Sequence, residues 1–148
     1  MPKGSQYDLF TDGACLGNPG PGGWAYILRN GDEEIVRSGG ELDTTNQRME
    51  VTAVLRALES IEVASAITIH ADSQYVTNGL TEWMDGWIAK NWKNAAKKPV
   101  KNQDLWKPLA QLRKTHAITT HWIKGHAGHP ENERCDMIAY AEAEKLLQ

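Results

Sequence analysis

The chain is predicted to fold as α/β: a mixed five-stranded sheet, its first three strands antiparallel, flanked by helices. Two observations carry this expectation. The dipeptide Asn30-Gly31 lies between two strand-like runs, Trp24–Arg29 and Glu34–Ser38, and so tight a hairpin turn forces neighbouring strands to run in opposite directions. The later strand-like runs, Ala66–Ala71 and Ile118–Lys124, each follow helical sequence. A strand reached through a helical crossover lies parallel to the strand it joins.

Each element has its own signal. Tyr7–Thr11 reads as the first strand, ending in Asp12-Gly13, and the run from Cys15 to Gly23 is rich in glycine, proline and asparagine, the chemistry of turns. Thr44-Thr45-Asn46-Gln47 predicts a capping box with Thr44 as N-cap. Val51, Val54, Leu55, Leu58 and Ile61 then recur at the spacing of one buried helix face. Ser73 opens a short helix to about Leu80, and Glu82–Ile88 and Gln103–Lys114 are helical, separated by a lysine-rich loop around Pro99. A last helix is expected from Glu131 to Leu147.

The 148 residues carry no repeat and no Ser/Gly linker, so one domain, residues 1–148, is expected. Two cysteines, Cys15 and Cys135, exclude a disulfide scaffold; they leave room for a single bridge and read rather as two free thiols of a reducing compartment. Neither a signal-peptide pattern nor a bilayer-length apolar run is present, so a soluble, cytoplasmic protein without membrane attachment is expected.

The formal net charge of −3 conceals a polarised distribution. Residues 1–85 carry 5 basic and 13 acidic side chains, residues 86–124 carry 9 basic and one acidic, and residues 125–148 carry 2 and 5. The basic block also holds Trp87, Trp92, Trp106 and Trp122. Cationic side chains beside flat rings are what a nucleic-acid surface needs, charge for phosphates and planes for sugars or bases.

Sites in sheets with parallel crossovers form at strand carboxyl ends. Two predicted strands end in aspartate, Asp12 and Asp72, while Glu50 enters from the start of one helix and Asp136 from the second turn of the last. Four carboxylates gathered in one place repel one another unless a cation joins them. Oxygen-only donors select Mg²⁺ or Mn²⁺ over zinc. A site of shared carboxylates holds two such ions roughly 4 Å apart, one promoting the attack of water on a phosphodiester and the other stabilising the leaving oxygen.

Five segments carry a resemblance: FTDGACLGNPGPGG around Asp12, TTNQRME ending at Glu50, ADSQYV around Asp72, VKNQDLW ending at Trp106, and WIKGHAGHPENERCD ending at Asp136. In this order they resemble the bacterial type 1 ribonuclease H family, enterobacterial members included, over essentially the whole chain. The resemblance implies the ribonuclease H-like fold and an endonuclease that cuts the RNA strand of RNA–DNA hybrids with Mg²⁺ or Mn²⁺, leaving 5′-phosphate and 3′-hydroxyl ends. It implies that the metal-binding carboxylates are Asp12, Glu50, Asp72 and Asp136, and that the enzyme acts as a monomer.

His126, between small residues in a glycine-rich loop, suits proton shuttling or product release, and the resemblance gives it the same assisting role. His70, His116, His121 and His129 read as ordinary structural or loop residues. The resemblance assigns recognition of the RNA 2′-hydroxyl to the Cys15 backbone, Asn18, Asn46, Gln47 and Gln74, with Gln47 standing where the family often has asparagine. It makes residues 83–101 a basic protrusion gripping the DNA strand, with Trp83 and Trp87 as a platform and Lys93, Lys97 and Lys98, with Lys90 and Lys101, neutralising phosphates. Trp92 and Trp106 read as core. Thr45 keeps a DNA-phosphate contact, whereas Asp43 and Gly86 replace an arginine and an asparagine common there. Ile88 and Ala89 replace lysines. Weaker hybrid affinity and a smaller salt dependence are therefore expected. The competing readings are a hybrid-binding module that does not cut, which has no need of four carboxylates, and a DNA-acting nuclease of the same fold.

Overall fold

The computed structural model describes residues 6–124 and 128–147. Strands β1 (Gln6–Cys15), β2 (Gly20–Asn30), β3 (Glu33–Thr44), β4 (Ala66–Ala71) and β5 (Ala117–Trp122) form one sheet in the order β3-β2-β1-β4-β5. β1 pairs antiparallel with β2, and β2 with β3, whereas β4 runs parallel to both β1 and β5. The mixed sheet and its antiparallel first three strands thus match the expectation.

Helices cover both faces. Along β1, Leu9 packs into a core with Val54, Leu58, Ile69 and Trp106, built around α1 (Asn46–Glu59) and α4 (Gln103–Thr115). Its neighbour Phe10 points the other way, into a smaller core with Ile27, Cys135 and Ala139 under α5 (Pro130–Lys145). This alternation is the period of two of a strand buried on both sides. Cys135 is fully buried in the smaller core, and both cysteines are free thiols.

The glycine-rich segment is less of a turn than its composition predicts. β1 continues to Cys15 and β2 begins at Gly20, so Ala14 pairs with Gly23 and Cys15 with Gly22. The physical reason is close packing: a Cβ on Gly23 would lie 2.0 Å from the Ala139 carbonyl of α5. Bare backbone at that point lets α5 approach the sheet directly.

The capping box is not formed as expected. Thr44 is the buried last residue of β3, and the N-cap is Thr45, whose Oγ1 accepts from the Arg48 N–H at 3.1 Å. Thr44 belongs to the sheet register opposite Gly20, so the helix starts one residue later. The two short helices expected after Ser73 are one continuous run, α2 (Gln74–Asn78), a π-helical turn (Gly79–Trp83) and α3 (Met84–Ala89). The widened turn starts at Gly79, where a Cβ would sit 2.2 Å from the buried Trp106 ring.

Candidate active site

Three of the expected carboxylates come from three separate elements. Asp12 lies near the carboxyl end of β1, Glu50 in the first turns of α1, and Asp72 immediately after β4. Each offers an oxygen within 4.8 Å of the others, the one such group of three among the described residues. Asp12 and Glu50 are 2% and 4% exposed, so these charges are withdrawn from water; Asp72 is half-buried at the mouth.

A single backbone amide organises the buried pair. The Gly13 N–H donates to Asp12 Oδ1 at 2.8 Å and to Glu50 Oε1 at 3.1 Å. This is possible because α1 passes directly over Gly13: an added Cβ would lie 2.5 Å from the Glu50 amide nitrogen. Burial, then the neighbouring charges of Asp12 and Asp72, push Glu50 well above the usual carboxylate range, and the Gly13 N–H only partly opposes them. Two side contacts set the rim. Trp122 Nε1 donates to the Asp72 carbonyl at 3.0 Å, and Ser73 Oγ caps α2 by accepting from the Val76 N–H.

Asp136 stands half-buried in the second turn of α5, outside the tight group of three. The expected position of His126 lies outside the described residues. α5 is fastened to the sheet by Asn132, whose Nδ2 donates to the His70 carbonyl of β4 at 3.0 Å. Sequence reading passed over Asn132 and also Arg48. The Arg48 guanidinium grips Asp104 of α4 through two bonds, at 3.0 and 2.6 Å, and Glu41 at 3.3 Å. A pairing between residues so far apart along the chain leaves no local pattern to read.

The residues expected to touch a ribose come from the end of β1, the β1–β2 connection, the start of α1 and the start of α2. Asn18 Oδ1 accepts from the Asn46 N–H at 2.9 Å, which ties the β1–β2 turn to the start of α1. Asn18 thus completes the cap that Thr45 begins. Gln47 and Gln74 are exposed. The Cys15 thiol donates to the Gly17 carbonyl at 2.8 Å, and burial raises its pKa above the ordinary thiol value.

In the segment 83–101, Trp83 and Trp87 lie with ring centres 6.0 Å apart at 51°, Trp83 exposed and Trp87 half-buried. Trp87 leans on Trp92 and Trp106. Trp106 is fully buried and its Nε1 donates to the Tyr75 hydroxyl at 3.2 Å, while Trp92 is half-buried against the same core. A groove of about 310 Å³ runs between Trp83, Trp87, Lys90 and Lys93. Lys93, Lys97 and Lys98 are exposed around a tight turn held by Asn94, whose Oδ1 accepts from the Ala96 and Lys98 amides.

Comparison with known proteins gives this arrangement a family. Residues 4–144 match the family model described as RNase H. The chain is 54% identical over 138 residues to the ribonuclease H of Paramagnetospirillum magneticum, covering 93% of this chain and 90% of that protein. It is 51% identical over 140 residues to the ribonuclease H of Halorhodospira halophila, covering 95% and 94%. Among solved structures, LC9-RNase H1, a type 1 RNase H with the type 2 active-site motif, superposes with a TM-score of 0.84 at 27% identity, over 97% of this chain and 74% of that one. LC11-RNase H1 in complex with an RNA/DNA hybrid shares the fold, with a TM-score of 0.70 at 20% identity over 96% and 99%. The chain belongs to the ribonuclease H family and is an enzyme of that kind, a hydrolytic nuclease.

Proposed function

We propose that the enzyme hydrolyses the RNA strand of RNA–DNA hybrids with two divalent ions, Mg²⁺ or in its place Mn²⁺, held by Asp12, Glu50, Asp72 and Asp136, and leaves 5′-phosphate and 3′-hydroxyl ends. The observation that carries this reading is the convergence of Asp12, Glu50 and Asp72 from β1, α1 and β4 within 4.8 Å. The donor set fits the ions. It is all oxygen, which suits hard cations, and both the burial and, after it, the mutual repulsion that raise Glu50 are offset by a bound cation. When bound, the ions supply Lewis acidity toward water and the scissile phosphate.

The remaining steps fall to the protein. The Gly13 amide fixes Asp12 and Glu50, so the donors are preorganised before any ion arrives. Asn46, Gln47, Gln74, Asn18 and the Cys15 backbone read the 2′-hydroxyls that distinguish RNA from DNA. Thr45, Trp83, Trp87, Lys93, Lys97 and Lys98 hold the DNA strand. His126 carries protons to or from the departing product. The enzyme works as a cytoplasmic monomer, and no described helix is long and apolar enough to cross a membrane.

Labelled RNA–DNA hybrid, RNA duplex and DNA duplex incubated with Mg²⁺ test the reading, alongside Asp12→Asn. Cleavage of the hybrid alone, with 5′-phosphate ends and loss in Asp12→Asn, is expected. An intact hybrid overturns the enzymatic reading in favour of a binding module, and cleaved DNA duplex overturns the substrate class.

A further inference from the structure

On the α5 side of the sheet a second group of ligating side chains has nothing to do with the carboxylates. His70 of β4 and His121 of β5 are register partners in the parallel pair, so both project from the same face. Their Nδ1 atoms lie 3.2 Å apart, while the ring centres are 5.3 Å apart, so the two nitrogen-bearing edges face each other. The other nitrogen of His70, Nε2, meets Asp8 Oδ1 of β1 at 2.9 Å. The His70 ring is further fixed by stacking on Phe10, with centres 4.7 Å apart. Glu131, at the start of α5, is close enough to His70 for the two to interact electrostatically. Arg29, whose guanidinium lies over the Phe10 ring, is paired with Glu34 and Glu131.

We propose that His70 and His121 form a binding site for a late first-row divalent ion, Zn²⁺ or Ni²⁺, through their two Nδ1 atoms. Metal–imidazole bonds of about 2.0–2.1 Å place two adjacent ligand nitrogens roughly 3.0–3.4 Å apart, the separation already present here. The ion takes the place of the contact between the two Nδ1 atoms, each ring turning so that its nitrogen faces the ion rather than the other nitrogen. Imidazole donors favour these metals over Mg²⁺, so the site is chemically separate from the carboxylate cluster. Asp8 plays the part of the outer carboxylate that commonly orients a metal-binding histidine through its second nitrogen. Water completes the coordination, since His121 is exposed and His70 is 18% exposed at its side chain. The bound ion pins β5, an edge strand, to β4.

Titration calorimetry with ZnCl₂ or NiCl₂ in excess MgCl₂, which occupies the carboxylates, tests the site. One equivalent is expected to bind the unmodified protein and Asp12→Asn alike. His121→Ala is expected to weaken binding more than tenfold, and Asp8→Asn by about 10–100-fold, the usual range for an outer-shell partner. Mg²⁺-dependent cleavage by His121→Ala should be unchanged. Because a variant can lose structure, Ni²⁺ broadening of amide NMR signals in the unmodified protein gives an independent reading, expected around residues 70 and 121. Equal affinity in His121→Ala and the parent, absence of binding in the parent, or loss in Asp12→Asn but not in His121→Ala overturns the proposal. So does broadening confined to residues 12, 50 and 72.

Discussion

Gly13→Ala adds one methyl group at the point where α1 crosses β1. The new Cβ would stand 2.5 Å from the Glu50 nitrogen, 2.6 Å from the Met49 carbonyl carbon and 2.8 Å from the Met49 Cβ, where ordinary contact begins at 3.4 Å. Two of the three obstacles are backbone, and Met49 is fully buried, so no flexible side-chain end can swing aside. α1 must therefore retreat by roughly 1 Å, and a misplacement of that size near reacting groups costs about 10²-fold in rate. The same overpacking costs about 1–3 kcal/mol, which for a chain of this size lowers Tm by roughly 2–12 °C. The assay is kcat/KM on a labelled hybrid at saturating Mg²⁺, with thermal unfolding run in parallel. A variant within about threefold of the parent rate, with Tm unchanged, would refute the claim that the Gly13 crossing sets the spacing of Asp12 and Glu50.

Three further outcomes are expected. Replacing Lys93, Lys97 and Lys98 together by alanine should raise KM with kcat unchanged and flatten the log–log salt dependence of binding by roughly 2–3; an unaltered slope would remove them from the phosphate contacts. Trp83→Ala should weaken hybrid binding about 5–100-fold with stability intact, as for a lost stacking plane, whereas Trp87→Ala should also cost about 2 kcal/mol because it packs on Trp92 and Trp106. Equal stability losses in the two variants would contradict this division. His116 is 4% exposed, accepts from the Ser65 N–H at 3.2 Å, and is held by burial below its ordinary value of 6.5. The folded state therefore favours the neutral ring: its contribution is complete above that value and is lost as pH falls toward the lower folded pKa. Urea midpoints should fall as pH drops below about 6.5, and His116→Asn, which keeps an acceptor, should flatten the decline.

Much of this was legible from local pattern. The Asn30-Gly31 hairpin, the apolar face of α1 and the aspartates near the carboxyl ends of the first and fourth strands are all short-range signals; they name Asp12, Glu50 and Asp72 as candidates, and the pairing of β1 with β4 brings these together. What escaped depends on pairs distant in sequence. The glycine-rich run looks like a turn because its residues suit turns, but α5 packing on Gly23 draws it into the sheet. Thr44 and Thr45 are equally good caps by composition, and the register with Gly20 chooses between them. The Arg48–Asp104 clamp and the facing of His70 and His121 arise only once α1 meets α4 and β4 meets β5.

The carboxylates of β1, α1 and β4 are neighbours only after strands separated by more than fifty residues have paired. No fragment that ends before β4 can assemble the full donor set. Cation affinity is therefore a property of the finished topology, and a nascent or half-folded chain that already holds the β1–β3 meander and α1 has no complete site. An ion that binds the native state alone also draws the equilibrium toward it. In such a chain the acquisition of divalent-cation binding would report the pairing of β4 with β1, and activity would switch on with that event rather than grow by degrees.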